Sequence, residues 1–564
     1  MHRYWERPSL RKVRTMRRKQ KPAPAVAGHA ARRAAIERAL AAGSIPQAAA
    51  LAEAALARGP DDPMLLNLAA WAREEAGDYP GAHAFLRRAL ILAPGDPLIL
   101  GAIGAVLRKE GRLDDALAVL DRAIAAEPRH GAAWLERGYV LDALRSWDAA
   151  RASYTHALTI DPQLAPALAR LADIAAKDGD RETGLVLARR ALAIDPDEPS
   201  AVCAMAMMEI EARDGVPAEA RLSALLAGPC RGDDRTRALT LLGDALDRQD
   251  RTAEAFDAYR HAQQNFRTVY AADLAPTADR PSHRRFIERI AEQVRDTPPS
   301  VASSLATGDA GAAVARHVFL LGYPRSGTTL VENVLASAPD VIALEERDTL
   351  ADTDGVLLHN DGTMPPLDAL DPPLLTELRA AYWRRVQTMA GDMTGKTFVD
   401  MNPLNGVKLP LIARLFPEAR ILIMRRDPRD IVLSCFRINF TPSTAAWAFS
   451  DLEEAARHYD ALMQLTELCR ERLPLAYHEV RYDRLVVDFE ATIRTLADFI
   501  GLEWTEAFRR FDRTAQTRGV RTASATQVRR GLFDGRGQWH RYAEQLAPAL
   551  PILGPWIEQF GFEP

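Results

Sequence analysis

Cysteine and long apolar runs are both scarce in this sequence of 564 residues. The cysteines, which are Cys203, Cys230, Cys435 and Cys469, are scattered along the chain. They are too few for a disulfide scaffold and lack the spacing of metal ligands, so we expect a reducing, cytoplasmic environment. No apolar run approaches the roughly 20 residues that cross a bilayer, and we therefore expect no transmembrane segment.

An excess of charge of one sign is also missing. The chain carries 72 Lys and Arg residues against 76 Asp and Glu residues, for a net charge of −4. This balance argues against nucleic-acid binding by the chain as a whole. Basic residues do concentrate near the beginning, in a stretch without the apolar region of a secretory signal. We predict that residues 1–30 form a basic, disordered tail. Binding of this tail to an anionic membrane or to nucleic acid is the open alternative.

What the sequence does contain is a repeat in its alanine-rich and leucine-rich first half. Prolines recur there every 34 residues, and an alanine stands five residues before each of them. The prolines are Pro60, Pro94, Pro128, Pro162 and Pro196. A 34-residue period is typical of tetratricopeptide repeats, in which each unit is a pair of antiparallel helices. Small residues let the paired helices approach, and proline stops the second helix before the next unit begins.

This period predicts an N-terminal all-α tetratricopeptide solenoid over residues 31–265. A further helix pair, near residues 235–264, is predicted to close the array. Such solenoids expose a concave groove, so we expect a peptide or protein ligand there. Residues 266–315 lose the pattern and are rich in Pro, Ser and Gly, which predicts a connector with one helical piece.

The pattern after residue 315 changes to alternating strands and helices. It predicts an α/β domain with a mostly parallel sheet over residues 316–564. The first strand ends in the stretch Gly322-Tyr-Pro-Arg-Ser-Gly327-Thr-Thr329, and a helical pattern follows. A strand, a glycine-bounded loop and a helix together form a P-loop-like phosphate cradle. The lysine that reaches the γ-phosphate in nucleoside triphosphatases is missing, and the positive charge comes from Arg325.

A second candidate anion site follows another apolar strand about 100 residues later. That strand ends in Arg425-Arg426-Asp427-Pro428, and Ser434 lies on the helix after it. Asp430 is predicted to cap this helix. Ligands of open α/β sheets bind at the carboxyl ends of strands, so Arg426 and Ser434 suit a second phosphate. An Arg–Asp ion pair that caps the helix is the structural alternative.

Together, these two stretches resemble the sulfotransferase family, and most of all its tyrosylprotein branch and the bacterial relatives linked to tetratricopeptide repeats. The resemblance implies transfer of a sulfuryl group from 3′-phosphoadenylyl sulfate to an acceptor hydroxyl, without a metal ion. It assigns the 3′-phosphate to Arg426 and Ser434. The residues assigned to the 5′-phosphosulfate are Arg325, Ser326, Gly327, Thr328 and Thr329. A sulfuryl donor has no γ-phosphate, which accounts for the missing lysine.

The resemblance also implies roles for residues outside the two stretches. Glu346 aligns with the general base that takes the proton of the acceptor hydroxyl, and Glu345 is the alternative. Trp539 matches a tryptophan of the nucleotide-binding segment, or is a core residue. Further contacts to the donor are assigned to Tyr482, Ser524 and Arg530.

Two positions depart from the family pattern. Met401 stands where the family often has a lysine near the sulfuryl group. Lys408 is the predicted replacement in catalysis, unless it is a surface residue and Arg325 acts with the loop amides alone. Gln538 stands where a basic residue is expected before the tryptophan, and Arg536 is close enough in sequence to compensate.

Two other classes of function remain open from the sequence. One is a catalytically inactive repeat scaffold that still binds the nucleotide, and the other is a P-loop kinase. The identity of the acceptor is also open. A repeat groove favours a peptide or protein, through tyrosine, over a small molecule or a glycan.

Overall fold

The computed structural model describes residues 24–144, 146–297, 314–518, 528–529 and 531–563. The predicted site residues Ser524 and Arg530, and the tail up to residue 23, lie outside the described residues. The chain divides into two units. One comprises the described residues up to Ile174 together with Glu182–Ala201, and the other comprises Ala175–Arg181 and the residues from Val202 onward.

The first half of the described chain is helical. Its helices are α1 (Pro24–Ala41), α2 (Ile45–Leu56), α3 (Pro63–Glu75), α4 (Tyr79–Leu92), α5 (Pro97–Lys109), α6 (Leu113–Ala126), α7 (Gly131–Ala143), α8 (Trp147–Ile160), α9 (Ala165–Asp178) and α10 (Arg181–Ile194). They are followed by α11 (Pro199–Glu211), α12 (Gly215–Ala227), α13 (Gly232–Asp247), α14 (Thr252–Leu274) and α15 (His283–Asp296). No helix of the described ranges is both long and apolar enough to cross a membrane.

The period of the helix pairs is the 34-residue period of the sequence. The first helices of successive pairs, α3, α5, α7, α9 and α11, each begin 34 residues after the last. Gly77 and Gly111, with φ of 75° and 77°, follow the first helix of their pairs in the left-handed conformation, which costs glycine little. The alanines in register are fully buried, as at Ala82, Ala116 and Ala150. The prediction of tetratricopeptide-type helix pairs is confirmed.

An α/β region follows the helices. Its strands are β1 (Arg316–Leu321), β2 (Val341–Glu345), β3 (Thr397–Met401), β4 (Arg420–Arg425) and β5 (Ala476–Arg481). Its helices are α16 (Thr328–Leu335), α17 (Ala351–Leu357), α18 (Pro372–Ala390), α19 (Leu409–Leu415), α20 (Pro428–Phe436), α21 (Thr444–Phe449), α22 (Leu452–Arg472), α23 (Tyr482–Val487), α24 (Phe489–Ile500), α25 (Phe511–Arg518), α26 (Ala543–Leu546) and α27 (Leu550–Gln559). Short 3₁₀ helices span Leu367–Ala369, Pro403–Lys408, Glu506–Arg510 and Gln538–Tyr542.

The strands of the described region form one parallel sheet in the order β2-β3-β1-β4-β5. One face packs against α16 and α24 through Leu330 and Ile493. The other face packs against α18 and α22 through Tyr382 and Leu462. The sheet is therefore covered by helices on both sides, as the alternating pattern predicts.

Three helices that precede the sheet in sequence also pack on it or on its helices. Phe256 of α14 stacks on Phe436 at the end of α20, with 5.2 Å between ring centroids. Ile287 and Ile290 of α15 are fully buried in the core on the α22 side of the sheet. Helix α13 contacts the residue after α20, because Asp247 in its last turn accepts a hydrogen bond from Arg437 at 3.1 Å. The helix pair predicted to close the array thus lies in the second unit, and so does the helical piece of the predicted connector.

The start of α20 differs from the sequence-based expectation. Asp427, not Asp430, caps this helix, because its carboxylate accepts a hydrogen bond from the Arg429 amide at 2.9 Å. Asp430 lies inside the helix and is 2% exposed. Its carboxylate instead accepts hydrogen bonds from the amides of Gly537 and Trp539, both at 2.9 Å.

Candidate active site

The loop between β1 and α16 has the geometry of a phosphate cradle. The Gly322 amide donates to the Pro403 carbonyl at 3.2 Å, which ties the loop to the end of β3. The loop then turns tightly, because the Ser326 amide donates to the Tyr323 carbonyl at 3.0 Å. The hydroxyl residues that follow are almost completely buried, as the exposed fractions of Ser326, Thr328 and Thr329 are 0%, 3% and 4%. The loop thus leads into the N-terminus of α16, where backbone amides favour an anion.

Gly327 is required by both the conformation and the packing of this loop. Its φ is 107°, which other residues rarely adopt. A Cβ atom there would lie 2.9 Å from the Cδ2 atom of Tyr482. The predicted adenine-site tyrosine therefore packs directly on the phosphate loop.

The two anion sites predicted from sequence meet in the structure. The Nε atom of Arg325 donates to the Ser434 hydroxyl at 3.0 Å. The Nη1 atom of Arg426 donates to the Arg325 carbonyl at 2.9 Å. The Arg426 guanidinium also lies over the Tyr482 ring, 4.7 Å from its centroid. Loop, strand end and helix thus converge at the carboxyl edge of the sheet, between β1 and β4.

This arrangement concentrates positive charge. Burial and the neighbouring Arg426 guanidinium lower the pKa of Arg325 to about 10. The Glu346 carboxylate acts in the opposite direction on the same pKa, so it lies within electrostatic reach of Arg325. Two guanidiniums held this close favour the binding of an anion between or beside them.

Two buried hydrogen-bond donors beside the phosphate loop have no partner among the described residues. They are the Ser326 hydroxyl and the Nε atom of Arg426. An unsatisfied buried donor costs about 1–3 kcal/mol, so such groups usually meet a ligand or water. One hydroxyl and one guanidinium N–H are donors suited to phosphate oxygens. The residues present therefore fit the bisphosphate part of a 3′-phosphoadenylyl donor.

Apolar residues that sequence reasoning missed line the pocket beside these donors. They are Leu330, Val528 and Phe533. Together with Tyr482 they form a surface on which a planar base can stack. Val528 and Phe533 lie 200 residues after the phosphate loop, so only the fold brings them to it. The sequence signal for them is weak, an isolated apolar pair at Leu532 and Phe533.

Residues 531–542, which we call the closing segment, lie along this pocket and α20. The Tyr482 hydroxyl donates to the Phe533 carbonyl at 2.6 Å and accepts from the Gly535 amide at 3.2 Å. The Arg426 guanidinium donates to the Gly535 carbonyl. Trp539 lies under the Arg429 guanidinium, 3.7 Å from the ring centroid, so it has a structural role here. Arg536 pairs with Asp534 in an exposed position.

Glu346 lies directly after β2, next to the end of β3. Its amide donates to the Met401 carbonyl at 2.7 Å, and its φ is 46°. Glu345 is the last residue of β2 and is half-buried. Sequence reasoning missed a third carboxylate here, Glu332 of α16, which is fully buried and accepts a hydrogen bond from Arg518 at 2.9 Å. Burial raises the pKa of Glu332, and the nearby Glu346 raises it further.

The predicted replacement for the family lysine has other partners. The Lys408 ammonium binds the carboxylate of Asp354 and lies 3.7 Å from that of Asp348. Among the contacts of the described residues, none joins Lys408 to the phosphate loop. Met401 is fully buried in the core beside α16. Of the two predicted catalytic cations, Arg325 lies within the phosphate loop and Lys408 does not.

Two family models match stretches of this chain. Residues 317–506 match the model of the sulfotransferase family. Residues 33–97 and 102–165 match the tetratricopeptide repeat model. A thermophilic tetratricopeptide repeat protein of Thermus thermophilus is 20% identical with a TM-score of 0.28, over 35% of this chain and 99% of that structure.

Two relatives match the chain in part. An uncharacterized protein of Aquifex aeolicus is 29% identical over 248 residues, which cover 42% of this chain and 32% of that protein. The chain thus spans about a third of the length of this relative. A putative protein-tyrosine sulfotransferase of Caenorhabditis briggsae is 26% identical over 259 residues, which cover 42% of this chain and 88% of that protein. This chain therefore combines a stretch that matches tetratricopeptide repeats with a stretch that matches the sulfotransferase family.

Proposed function

We propose that this protein transfers a sulfuryl group from 3′-phosphoadenylyl sulfate to an acceptor hydroxyl, and that the acceptor is a tyrosine of a peptide or protein. The observation that carries the donor proposal is the contact between Arg325 and Ser434, at 3.0 Å. It joins the phosphate loop to the helix after β4, so one pocket offers donors to two phosphate groups of the same nucleotide.

Each half of the donor has its own set of groups in this proposal. The amides at the start of α16, the hydroxyls of Thr328 and Thr329, and Arg325 hold the 5′-phosphosulfate. Arg426 and Ser434 hold the 3′-phosphate. A charge-assisted hydrogen bond contributes about 1.5–3 kcal/mol, so two of them imply a preference of roughly a hundredfold or more for a 3′,5′-bisphosphate over AMP.

The chemical step needs a base and a stabilised sulfuryl group. Glu346 accepts the proton of the acceptor hydroxyl while the oxygen of that hydroxyl forms a bond to sulfur. The bond between sulfur and the bridging phosphate oxygen breaks, and adenosine 3′,5′-bisphosphate leaves. Arg325 and the loop amides stabilise the negative charge on the moving group and on the leaving oxygen. Lys408 is left out of this step, because its contacts lead to Asp354 and Asp348.

A kinase is the less favoured alternative on geometric grounds. In P-loop kinases, an aspartate at the end of the strand beside the loop helps to hold magnesium. Asp400 of β3 is at a comparable position. It alternates along the strand with Val399 and Met401, which face α16, so its side chain lies on the other face of the sheet. There its carboxylate accepts hydrogen bonds from the hydroxyls of Thr349 and Tyr382, at 2.7 and 2.8 Å.

The proposed acceptor rests on two facts. The Caenorhabditis briggsae relative is named a putative protein-tyrosine sulfotransferase, and the repeats belong to a type that binds peptides in a concave groove. A scaffold that binds nucleotide without turnover shares both facts, so turnover is the observation that separates the two.

Calorimetric titration tests the donor. Wild type, Arg426→Ala and a control variant, Arg494→Ala, are titrated with adenosine 3′,5′-bisphosphate, AMP and ATP–Mg²⁺. Arg494 pairs with Glu490 on an exposed face of α24 and is not among the residues that line the pocket. We expect wild type and the control to bind the bisphosphate more tightly than AMP by roughly a hundredfold or more, and Arg426→Ala to lose most of that preference. Tighter binding of ATP–Mg²⁺, or no binding, would contradict the proposed donor.

Transfer from a donor labelled in its sulfuryl group tests the reaction. Tyrosine peptides and small phenols serve as acceptors. We expect Glu346→Gln to lower kcat by about 10²–10⁴-fold with little change in donor affinity. Glu345→Gln tests the alternative base, and a larger loss of kcat in that variant would assign the proton transfer to Glu345. Nucleotide binding without transfer to any acceptor would favour the scaffold.

A further inference from the structure

Asp247 lies in the last turn of α13, in the helix pair that precedes the catalytic elements in sequence. Its side chain is only 13% exposed. Both of its carboxylate oxygens are used, and their partners come from two different segments of the second unit. Each of these segments also reaches the proposed donor pocket.

The first segment is the C-terminal end of α20. Arg437, the residue after this helix, donates to Oδ2 of Asp247 at 3.1 Å and to the Tyr259 hydroxyl at 2.9 Å. Its guanidinium lies 4.9 and 5.3 Å from the ring centroids of Tyr259 and Tyr542. The Phe436 carbonyl beside it accepts a hydrogen bond from Nε2 of the Gln263 side chain at 2.7 Å. The end of α20 is therefore fixed by side chains of α13 and α14.

The second segment is the end of the closing segment. The Tyr542 hydroxyl donates to Oδ1 of Asp247. Arg541 lies 2.9 Å from the same oxygen and also donates to the Asp247 carbonyl at 2.9 Å. The other end of the closing segment reaches the pocket through Phe533. One carboxylate thus fastens the closing segment and the end of α20 to the same point.

Helix α20 and the closing segment also contact each other near the pocket. Asp430 of α20 accepts hydrogen bonds from the amides of Gly537 and Trp539. Ser434, one helical turn further along α20, contacts Arg325 of the phosphate loop. A shift of α20 along its axis would therefore move the Ser434 hydroxyl relative to the loop, although Asp247 itself does not line the pocket.

We propose that Asp247 is a positioning residue for the donor, and that the helix pair α13–α14 is a built-in support of the nucleotide site as well as part of the helical array. This inference rests on the proposed function. Asp247 sets the place of Ser434 through Arg437 and the place of the closing segment through Tyr542 and Arg541. Loss of the Asp247 carboxylate should weaken binding of the 3′-phosphate most, because Ser434 binds that group in the proposed site.

The chemistry requires a carboxylate at this position. Arg437, Arg541 and the Tyr542 hydroxyl all present hydrogen-bond donors, and a carboxylate is an acceptor at both oxygens. An asparagine would turn one acceptor into an NH₂ group that faces these donors. Asp244 is the other carboxylate near Arg437, but it lies 3.7 Å away and accepts from the Tyr259 hydroxyl. It cannot replace the contacts to Tyr542 and Arg541.

Calorimetry of the full chain tests this proposal, with adenosine 3′,5′-bisphosphate and AMP as probes. The variants are Asp247→Asn, Tyr542→Phe and, as a matched control, Asp250→Asn. Asp250 also binds Arg541, at 2.9 Å, but its side chain is 90% exposed. We expect Asp247→Asn to weaken bisphosphate binding by about tenfold and AMP binding by less. Tyr542→Phe should do the same to a smaller extent, and Asp250→Asn should match wild type.

The outcomes are distinct. Unchanged bisphosphate affinity in Asp247→Asn would overturn the proposal. Equal losses for both ligands together with a lower Tm would also overturn it, since they indicate a role in folding alone. If Asp247→Asn does not fold, Tyr542→Phe decides, and wild-type affinities for both ligands in that variant would again overturn it. Failure of wild type to bind the bisphosphate at all would instead sink the proposed function.

Discussion

At the scale of single residues, Asp400 is a buried carboxylate that takes no part in the proposed reaction. Thr349 and Tyr382 donate hydrogen bonds to one of its oxygens, and the residue is fully buried. Burial raises its pKa from 3.8 to about 6, in spite of these hydrogen bonds. The folded protein therefore binds this proton more tightly than the unfolded chain does.

This pKa predicts how Asp400→Asn changes the pH dependence of stability. Between pH 3.8 and 6 the folded state holds the proton that the unfolded chain releases, so the stability of wild type falls as pH rises through this window. Asparagine is isosteric, and its carbonyl can accept both hydroxyl hydrogen bonds. We expect the free energy of unfolding of wild type to fall by about 3 kcal/mol relative to the variant between pH 3 and 7. Denaturant titrations at several pH values measure the difference.

A control keeps this prediction specific to the buried group. Asp273→Asn removes an exposed carboxylate from α14, and its stability should follow wild type across the same pH range. Parallel pH profiles for wild type and Asp400→Asn would show that Asp400 has an ordinary pKa.

The sequence predicts a residue of the site well when its neighbours in the chain define its role. Arg325 lies in the loop between β1 and α16, and Arg426 lies between β4 and α20, so their positions at the sheet edge follow from local pattern. Asp400, Glu332 and Phe533 were not predicted. Their roles depend on partners 18 to 186 residues away, such as Tyr382 and Arg518.

At the scale of elements, α15 connects to the phosphate loop through buried polar contacts. The Tyr323 hydroxyl lies 2.7 Å from Nδ1 of His458, and Nε2 of His458 lies 2.7 Å from Nδ1 of His283 at the start of α15. Burial lowers the pKa of both histidines, that of His283 to about 4. A neutral, hydrogen-bonded chain thus runs from α15 to the residue that follows Gly322.

These contacts predict that the α/β region needs the helices before it. A fragment of residues 316–564 would lose α15, whose Ile287 and Ile290 each contribute about 1.5–3 kcal/mol of burial. We expect this fragment to aggregate or to lack cooperative unfolding. A fragment of residues 199–564 should unfold cooperatively, and one of residues 278–564, which keeps α15 alone, should be less stable. Thermal unfolding followed by circular dichroism compares them, and a stable 316–564 fragment would contradict the expectation.

The strength of each sequence pattern explains which elements were predicted. The 34-residue period predicted the recurring helix pairs, because the same residues recur at the same structural positions. Strands β2 and β3 were not predicted, since each has only five residues and no marked alternation. The helix pair α13–α14 was predicted as helices. Its packing on α20 was not, because Phe256 and Phe436 are 180 residues apart.

At the scale of the whole molecule, the chain combines a helical unit with a unit that holds the proposed donor site. The donor proposal uses residues of the second unit alone. The acceptor proposal, in contrast, assigns the binding of a peptide to the repeats. Removal of the repeats before residue 199 therefore tests the acceptor proposal without affecting the donor proposal.

This separation gives a prediction for the fragment of residues 199–564. Its affinity for adenosine 3′,5′-bisphosphate should equal that of the full chain. Its KM for a long tyrosine peptide should rise by about tenfold or more, because the peptide loses a second point of attachment. Its KM for a small phenol should not change. Steady-state transfer assays with both acceptors measure these values, and equal KM values for the peptide would exclude a role of the repeats in acceptor binding.

Arg325 and Glu346 share one backbone property, a positive φ of 73° and 46° in residues other than glycine. Such conformations cost on the order of 1–2 kcal/mol each. Glycine at either position would relieve that cost and delete the proposed catalytic group at the same time. A laboratory selection for heat resistance alone would therefore enrich glycine at these two positions. Substitutions at these two positions that raise thermal stability would therefore lower turnover.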